Sequence, residues 1–103
     1  MNNINQIEKD FTQLSDSLYR ASKILKSLGN QRRLEILTCL SEQELSVGQL
    51  EQKIKISQSA LSQHLGRLRR DDIVTTRREA QTIFYSLYND NIRNLLHSVR
   101  LAA

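Results

Sequence analysis

The sequence predicts a mainly α fold, with some β: four helices, a β-hairpin, and a fifth helix that closes the chain. Three observations carry that expectation. Apolar residues recur at helical spacing through the first seventy positions and again after Asn89, with Asn and Ser at the points where helices should start. Between those regions lie two β-branched runs, Ile73–Thr76 and Gln81–Leu87. No Pro, low-complexity tract or internal repeat interrupts the pattern, so residues 1–103 read as one domain.

In the first segment Ile4, Ile7, Phe11, Leu14, Leu18, Ala21, Leu25 and Leu28 stand alternately three and four apart. That spacing is an a/d seam, and a narrow seam this long on a small protein suggests pairing with a second subunit. A helix is expected over about residues 5–28, stopped by Gly29 as its C′ residue. Asn30 caps a second helix reaching about Leu40, with Leu34, Ile36, Leu37 and Leu40 as its apolar positions. Ser46-Val-Gly-Gln49 is a capping box opening a third helix with Val47, Leu50 and Ile54 inward. Ser57 caps a fourth helix to about Asp71. Only Lys55–Ser57 separate the third and fourth helices, so the two form a helix-turn-helix.

In the second β-branched run Ile83, Tyr85 and Leu87 alternate with Thr82, Phe84 and Ser86. The charged segment Arg77-Arg78-Glu79-Ala80 forms the hairpin tip, without the Gly of the commonest tight turns. A last helix over about residues 89–101 places Ile92, Leu95, Leu96 and Val99 on one side. This order is that of a winged helix-turn-helix with extra helices at both ends.

On a wheel of 100° per residue, Leu61, Leu65 and Leu68 of the fourth helix face the core. Ser59, Gln63, Gly66 and Arg70 lie opposite, with Ser62 and Arg67 at the edges. Short hydroxyl and amide side chains at the start of such a helix suit base edges in a DNA major groove, and Gln pairs well with adenine. Gln58, Ser59, Ser62 and Gln63 are therefore the expected base contacts. Arg67, Arg70, Arg77 and Arg78 are the expected phosphate or wing contacts. Arg77 and Arg78 alternate faces on a strand, so one should point to a groove and the other pair with an acid. His64 sits toward the core edge, as a packing residue or a further DNA contact.

Composition limits the alternatives. Lys and Arg number 15 against 11 Asp and Glu, a net charge of +4, which is compatible with a polyanionic partner. Hydrophobic residues at 39% and charged residues at 25% are ordinary for a soluble domain. No apolar run approaches the roughly 20 residues of a membrane helix, and the N-terminus has no signal-peptide pattern, so the cytoplasm is the expected location. A single Cys excludes an internal disulfide. Asp71-Asp72 at a helix end has no matching nucleophile, and there is no Gly-rich phosphate loop, so an enzyme is not expected. A helical protein-interaction module that binds no DNA is the rival from another class.

The stretches Leu28-Gly-Asn-Gln-Arg-Arg-Leu-Glu-Ile-Leu, Glu44-Leu-Ser-Val-Gly-Gln-Leu50, Ser57-Gln-Ser-Ala-Leu-Ser-Gln-His-Leu65 and Val74-Thr-Thr-Arg-Arg-Glu-Ala-Gln-Thr-Ile-Phe-Tyr85 resemble the ArsR/SmtB family of bacterial repressors. The resemblance implies a homodimer held by the first and last helices, through Ile7, Phe11, Leu14, Leu18, Ile92, Leu95, Leu96 and Val99. It implies a palindromic double-stranded operator read by two fourth helices, with wings on the flanks; the fit of Gln to adenine makes that operator an A·T-containing one. Metal sensors of that family carry Cys where this chain has Ser46 and Gly48, and an Asp-x-His start where it has Asp90-Asn91-Ile92. No metal and no cofactor is therefore expected, and His97 is a surface or interface residue. The closest likeness is to the redox and reactive-sulfur branch, which pairs a Cys at the position of Cys39 with another near the C-terminus. This chain has no second Cys. Cys39 is then a small buried hydrophobe, a one-thiol switch for an oxidant or reactive sulfur species, or a cross-dimer partner for its twin. A regulator that has lost inducer sensing fits the first of these. The wheel places Cys39 off the Leu37/Leu40 stripe, toward the dimer helices.

Overall fold

The computed structural model describes residues 4–103. It contains α1 (Ile4–Leu28), α2 (Gln31–Glu42), β1 (Leu45–Ser46), α3 (Val47–Lys53), α4 (Gln58–Arg70), β2 (Val74–Glu79), β3 (Thr82–Leu87) and α5 (Asp90–Ala102). The expected N-caps Asn30 and Ser57 accept from the backbone amides of Arg33 and Ala60, and Asn89, at the expected start of the last helix, caps it by accepting from the amide of Ile92. At Ser46 both halves of the capping box form. Each cap satisfies an amide that a helix start leaves without a partner. The remaining Met1-Asn2-Asn3 of the N-terminal segment lies outside the described residues.

The core lies between α2, α3, α4, α5 and the sheet, around the fully buried Ile36, Leu37, Leu40, Leu45, Leu50, Leu61, Leu65, Leu68, Ile73 and Val74. The sheet order is β1-β3-β2, antiparallel throughout. The two-residue β1 is absent from the sequence-based expectation; Leu45 pairs with Tyr85 and Ser46 with Phe84. Helix α1 projects from this body. The radius of gyration is 17.0 Å, against about 13 Å for a compact chain of this length.

Helix α1 stops at Gly29 as expected, but by another means. Gly29 has no positive φ. Instead the four carbonyls at the helix end each find a donor. Leu25 O accepts from Gly29 N at 3.0 Å and Leu28 O from Asn30 N at 2.8 Å. The side chain of Arg33 supplies the other two, with Nε 2.5 Å from Ser27 O and Nη2 3.4 Å from Lys26 O.

Helix α4 does end in a left-handed residue, and that residue is Asp72, at φ 56°. Asp72 N donates to Arg69 O, and Ile73 N to Leu68 O. This is a Schellman motif with Ile73 and Leu68 both buried. Glycine fits the position without a Cβ penalty, so Asp72→Gly is expected to raise the unfolding midpoint, by about 1 kcal/mol of stability. Chemical denaturation checks it, and an unchanged or lowered midpoint contradicts it.

Candidate nucleic-acid interface

The packing of α4 separates its two faces. Leu61, Leu65 and Leu68 are buried, which turns Gln58, Ser59, Ser62, Gln63, Gly66 and Arg70 to the exterior. No intramolecular side-chain hydrogen bond occupies Gln58, Ser59, Ser62 or Gln63, so their donors and acceptors are available to a partner. A Cβ placed on Gly66 would meet nothing within 4 Å. The protein's own packing does not demand that glycine, which leaves room for a surface to approach the helix closely.

The cations gather at the far end of α4. Arg67 and Arg70 lie 3.7 and 3.8 Å from the two carboxylate oxygens of Asp71. Lys23 and Lys26 of α1 join these three residues around a cleft of about 230 Å³. Four cations there face one carboxylate. The α1 lysines are absent from the sequence-based site; the signal was the spacing of Arg20, Lys23 and Lys26, three apart on one helix.

His64 is half-buried, with Nδ1 3.4 Å from Nη1 of Arg33. A guanidinium only donates, so Nδ1 accepts and the ring proton sits on Nε2. Arg33 therefore ties the end of α1 to the outward helix, a role no local pattern announces. Burial, then the Arg33 and Arg32 charges, push the His64 pKa below its ordinary 6.5. The unfolded chain takes up this proton first. Stability is thus fully present above pH about 6.5 and is lost as the pH falls through and below that value. The unfolding midpoint is expected to drop between pH 7.5 and 5.5, and to drop less in His64→Gln. Equal drops in both proteins contradict this.

The wing separates its two arginines. Arg77 Nη2 and Nε lie 2.7 and 2.8 Å from Glu44 Oε1, and Nη1 lies 2.9 Å from Glu79 Oε2. These carboxylates hold its pKa above the ordinary value. Arg77 is thus the acid-paired member of the two: Nε, Nη1 and Nη2 each meet a carboxylate within the protein, which engages three of its five N–H donors. Arg78 is exposed; its Nε donates to Ala80 O at 3.1 Å.

Ile92 and Leu96 of α5, expected at the dimer interface, are buried in the protomer's own core, at 6% and 4% exposure. Leu95 also packs partly on that core, and Val99 remains exposed. Cys39, expected to turn toward the dimer helices, is half-buried beside a shallow cleft between α2 and α3, with Lys53, Ile54 and Lys55 across from it. Burial, the largest influence, pushes its thiol pKa up. Among the described residues no cluster of His, Cys, Asp and Glu is arranged to hold a metal ion, and no helix is long and apolar enough to cross a membrane.

An outward polar helix behind a short turn, flanked by a β-hairpin, makes this a winged helix-turn-helix of the kind found in DNA-binding regulators. The chain belongs to the arsR family of bacterial regulatory proteins, whose model matches residues 30–76. It is 51% identical over 77 residues to the transcriptional activator HlyU of Vibrio cholerae, covering 75% of this chain and 71% of HlyU. The structure of reduced HlyU superposes with a TM-score of 0.79 at 46% identity, covering 86% of this chain and 95% of that one. The biofilm growth-associated repressor of Agrobacterium fabrum is 46% identical over 76 residues, 74% of this chain; the match spans just under two thirds of that repressor, at 65%. A homodimeric winged helix-turn-helix DNA-binding domain from Mycobacterium bovis shares the fold, at a TM-score of 0.82 and 24% identity over 87% of this chain and 83% of that one.

Proposed function

We propose that this DNA-binding regulator works as a homodimeric repressor that binds a palindromic, A·T-containing promoter site. The observation that carries the reading is the exterior face of α4, where Gln58, Ser59, Ser62 and Gln63 present unpaired amide and hydroxyl groups. Those groups take the base edges, and Arg67, Arg70 and Arg78, with His64 Nε2–H, take phosphates. Two copies spaced one helical turn apart, about 34–36 Å, read two half-sites. Occlusion of polymerase is the simplest output. The similar proteins include one named an activator and one named a repressor; occlusion gives the repressor output.

Titration into sheared genomic DNA at two salt concentrations tests the reading. Binding should be evident at low salt and weaken steeply as salt rises, because released counterions drive the phosphate contacts. No binding at low salt favours the protein-interaction module instead.

Cys39 enters this reading as the one thiol at which an oxidant or reactive sulfur species can act. Its raised pKa leaves little thiolate at neutral pH, so it is slow to react. Cys39→Ser is expected to bind the operator like wild type and to lose whatever release peroxide or persulfide produces. Identical release from both proteins removes Cys39 as the switch.

A further inference from the structure

The arginine at the root of the wing crosses the whole sheet. Arg77 stands on β2 opposite Phe84 of β3, and Phe84 stands opposite Ser46 of β1. The guanidinium carbon lies 4.6 Å from the centroid of the Phe84 ring. Beyond that ring the fork reaches Glu44, the residue before β1, and on the near side it meets Glu79. Nε, Nη1 and Nη2 are all engaged, and Phe84 covers one face.

The position of this crossing matters. Strand β1 pairs only with Tyr85 and Phe84. Beyond Phe84 the hairpin continues through Arg78↔Ile83 and Glu79↔Thr82 as a ribbon of two strands, and such a ribbon has little independent stability in water. Its tip is further strained by Ala80, a non-glycine residue at φ 55°. Arg77 sits at the last pair that β1 supports. Resting on the DNA-binding reading above, we infer that Arg77 is a positioning residue, a strut that fixes the wing to the body through Glu44 and Phe84, and that Arg78 is the wing's phosphate ligand.

Charge argues the same way. One guanidinium with two carboxylates is a net-negative cluster, which by itself repels a phosphate backbone. A wing built to hold Arg77 against phosphate gains nothing from Glu44; a wing that needs a fixed angle does. Arginine suits the task where lysine does not, because a planar fork can stack on a ring and meet two carboxylates at once.

The test compares Glu44→Gln, Arg77→Gln, their double variant and Arg78→Gln by amide hydrogen exchange of the free protein and by DNA affinity over a salt series. Glu44→Gln and Arg77→Gln should each speed exchange at residues 78–83 and weaken DNA binding by roughly three- to ten-fold. The salt slope should stay as in wild type, and the double variant should be no worse than Arg77→Gln alone. Arg78→Gln should instead flatten the salt slope by about 0.9, the loss of one phosphate contact. Tighter DNA binding by Glu44→Gln, with a slope flattened by Arg77→Gln, makes Arg77 the phosphate ligand and overturns the inference. Unchanged exchange in both strut variants overturns it too. The exchange arm uses no DNA, so a wild-type protein that binds no DNA ends the operator reading without deciding the strut.

Discussion

Replacing Phe11 and Leu18 with aspartate is expected to leave a folded monomer whose operator affinity is lower by about 100-fold or more, the avidity lost when one of two linked sites goes. The seam residues Ile7, Phe11, Leu14 and Leu18 are 56%, 71%, 55% and 59% exposed in the single chain. An unbroken apolar row of this length on one helix is unusual for a monomer and common at an interface. Val99 and Leu101 of α5 are exposed as well, at 38% and 75%. The core does not depend on Phe11 or Leu18, because its buried cluster takes from α1 only Leu28, the last seam residue, with partial cover from Ile24. The circular dichroism of the double variant should therefore keep its β and α2–α5 signature while sedimentation reports one chain. A variant that stays dimeric, or that binds the operator undiminished as a monomer, contradicts the proposed assembly.

The second large effect concerns Gln63. Its amide lies outward near the middle of α4, one turn beyond Ser59 and beside Ser62. A glutamine amide can donate to and accept from adenine at once, and a good bidentate pair of this kind is worth about 1–3 kcal/mol of discrimination. Gln63→Ala removes that pair without touching the core or any cation. Operator affinity should fall by that amount, while non-specific affinity, set by the arginines and lysines, should stay nearly constant. Asn89 or Ser46, whose polar groups close helix caps, should give the opposite pattern on truncation, losing stability rather than specificity.

The parts of this fold that were readable in advance are those decided locally. Asn30, Ser46 and Ser57 announce helix starts because each cap bonds within three residues. The leucines of α4 announce its inner face, and so its outer one, because both follow from a single period. The parts that were hidden depend on distant partners. Strand β1 exists only because β3 arrives forty residues later to pair with it. Arg33 looks like any helical arginine until the end of α1 and His64 come within its reach. Glu44 and Arg77 are likewise 33 positions apart, so the pairing of one wing arginine with an acid was expected, but neither which arginine nor its partner was. The α5 stripe was read as one surface, whereas Ile92 and Leu96 serve the protomer's own core and Val99 faces out. Gly29 shows a correct boundary with a different cause: Arg33 supplies donors that a left-handed glycine would otherwise have arranged.

The ratio of affinities for a selected operator and for random duplex DNA, taken for wild type beside Gln63→Ala at one salt concentration, tests most directly whether α4 reads sequence. The operator is first obtained by selection from random oligonucleotides. The expected result is a ratio that falls by about 5- to 150-fold through loss on the operator alone. Equal losses on both DNAs, or no loss on either, would show that α4 holds the backbone without reading the bases.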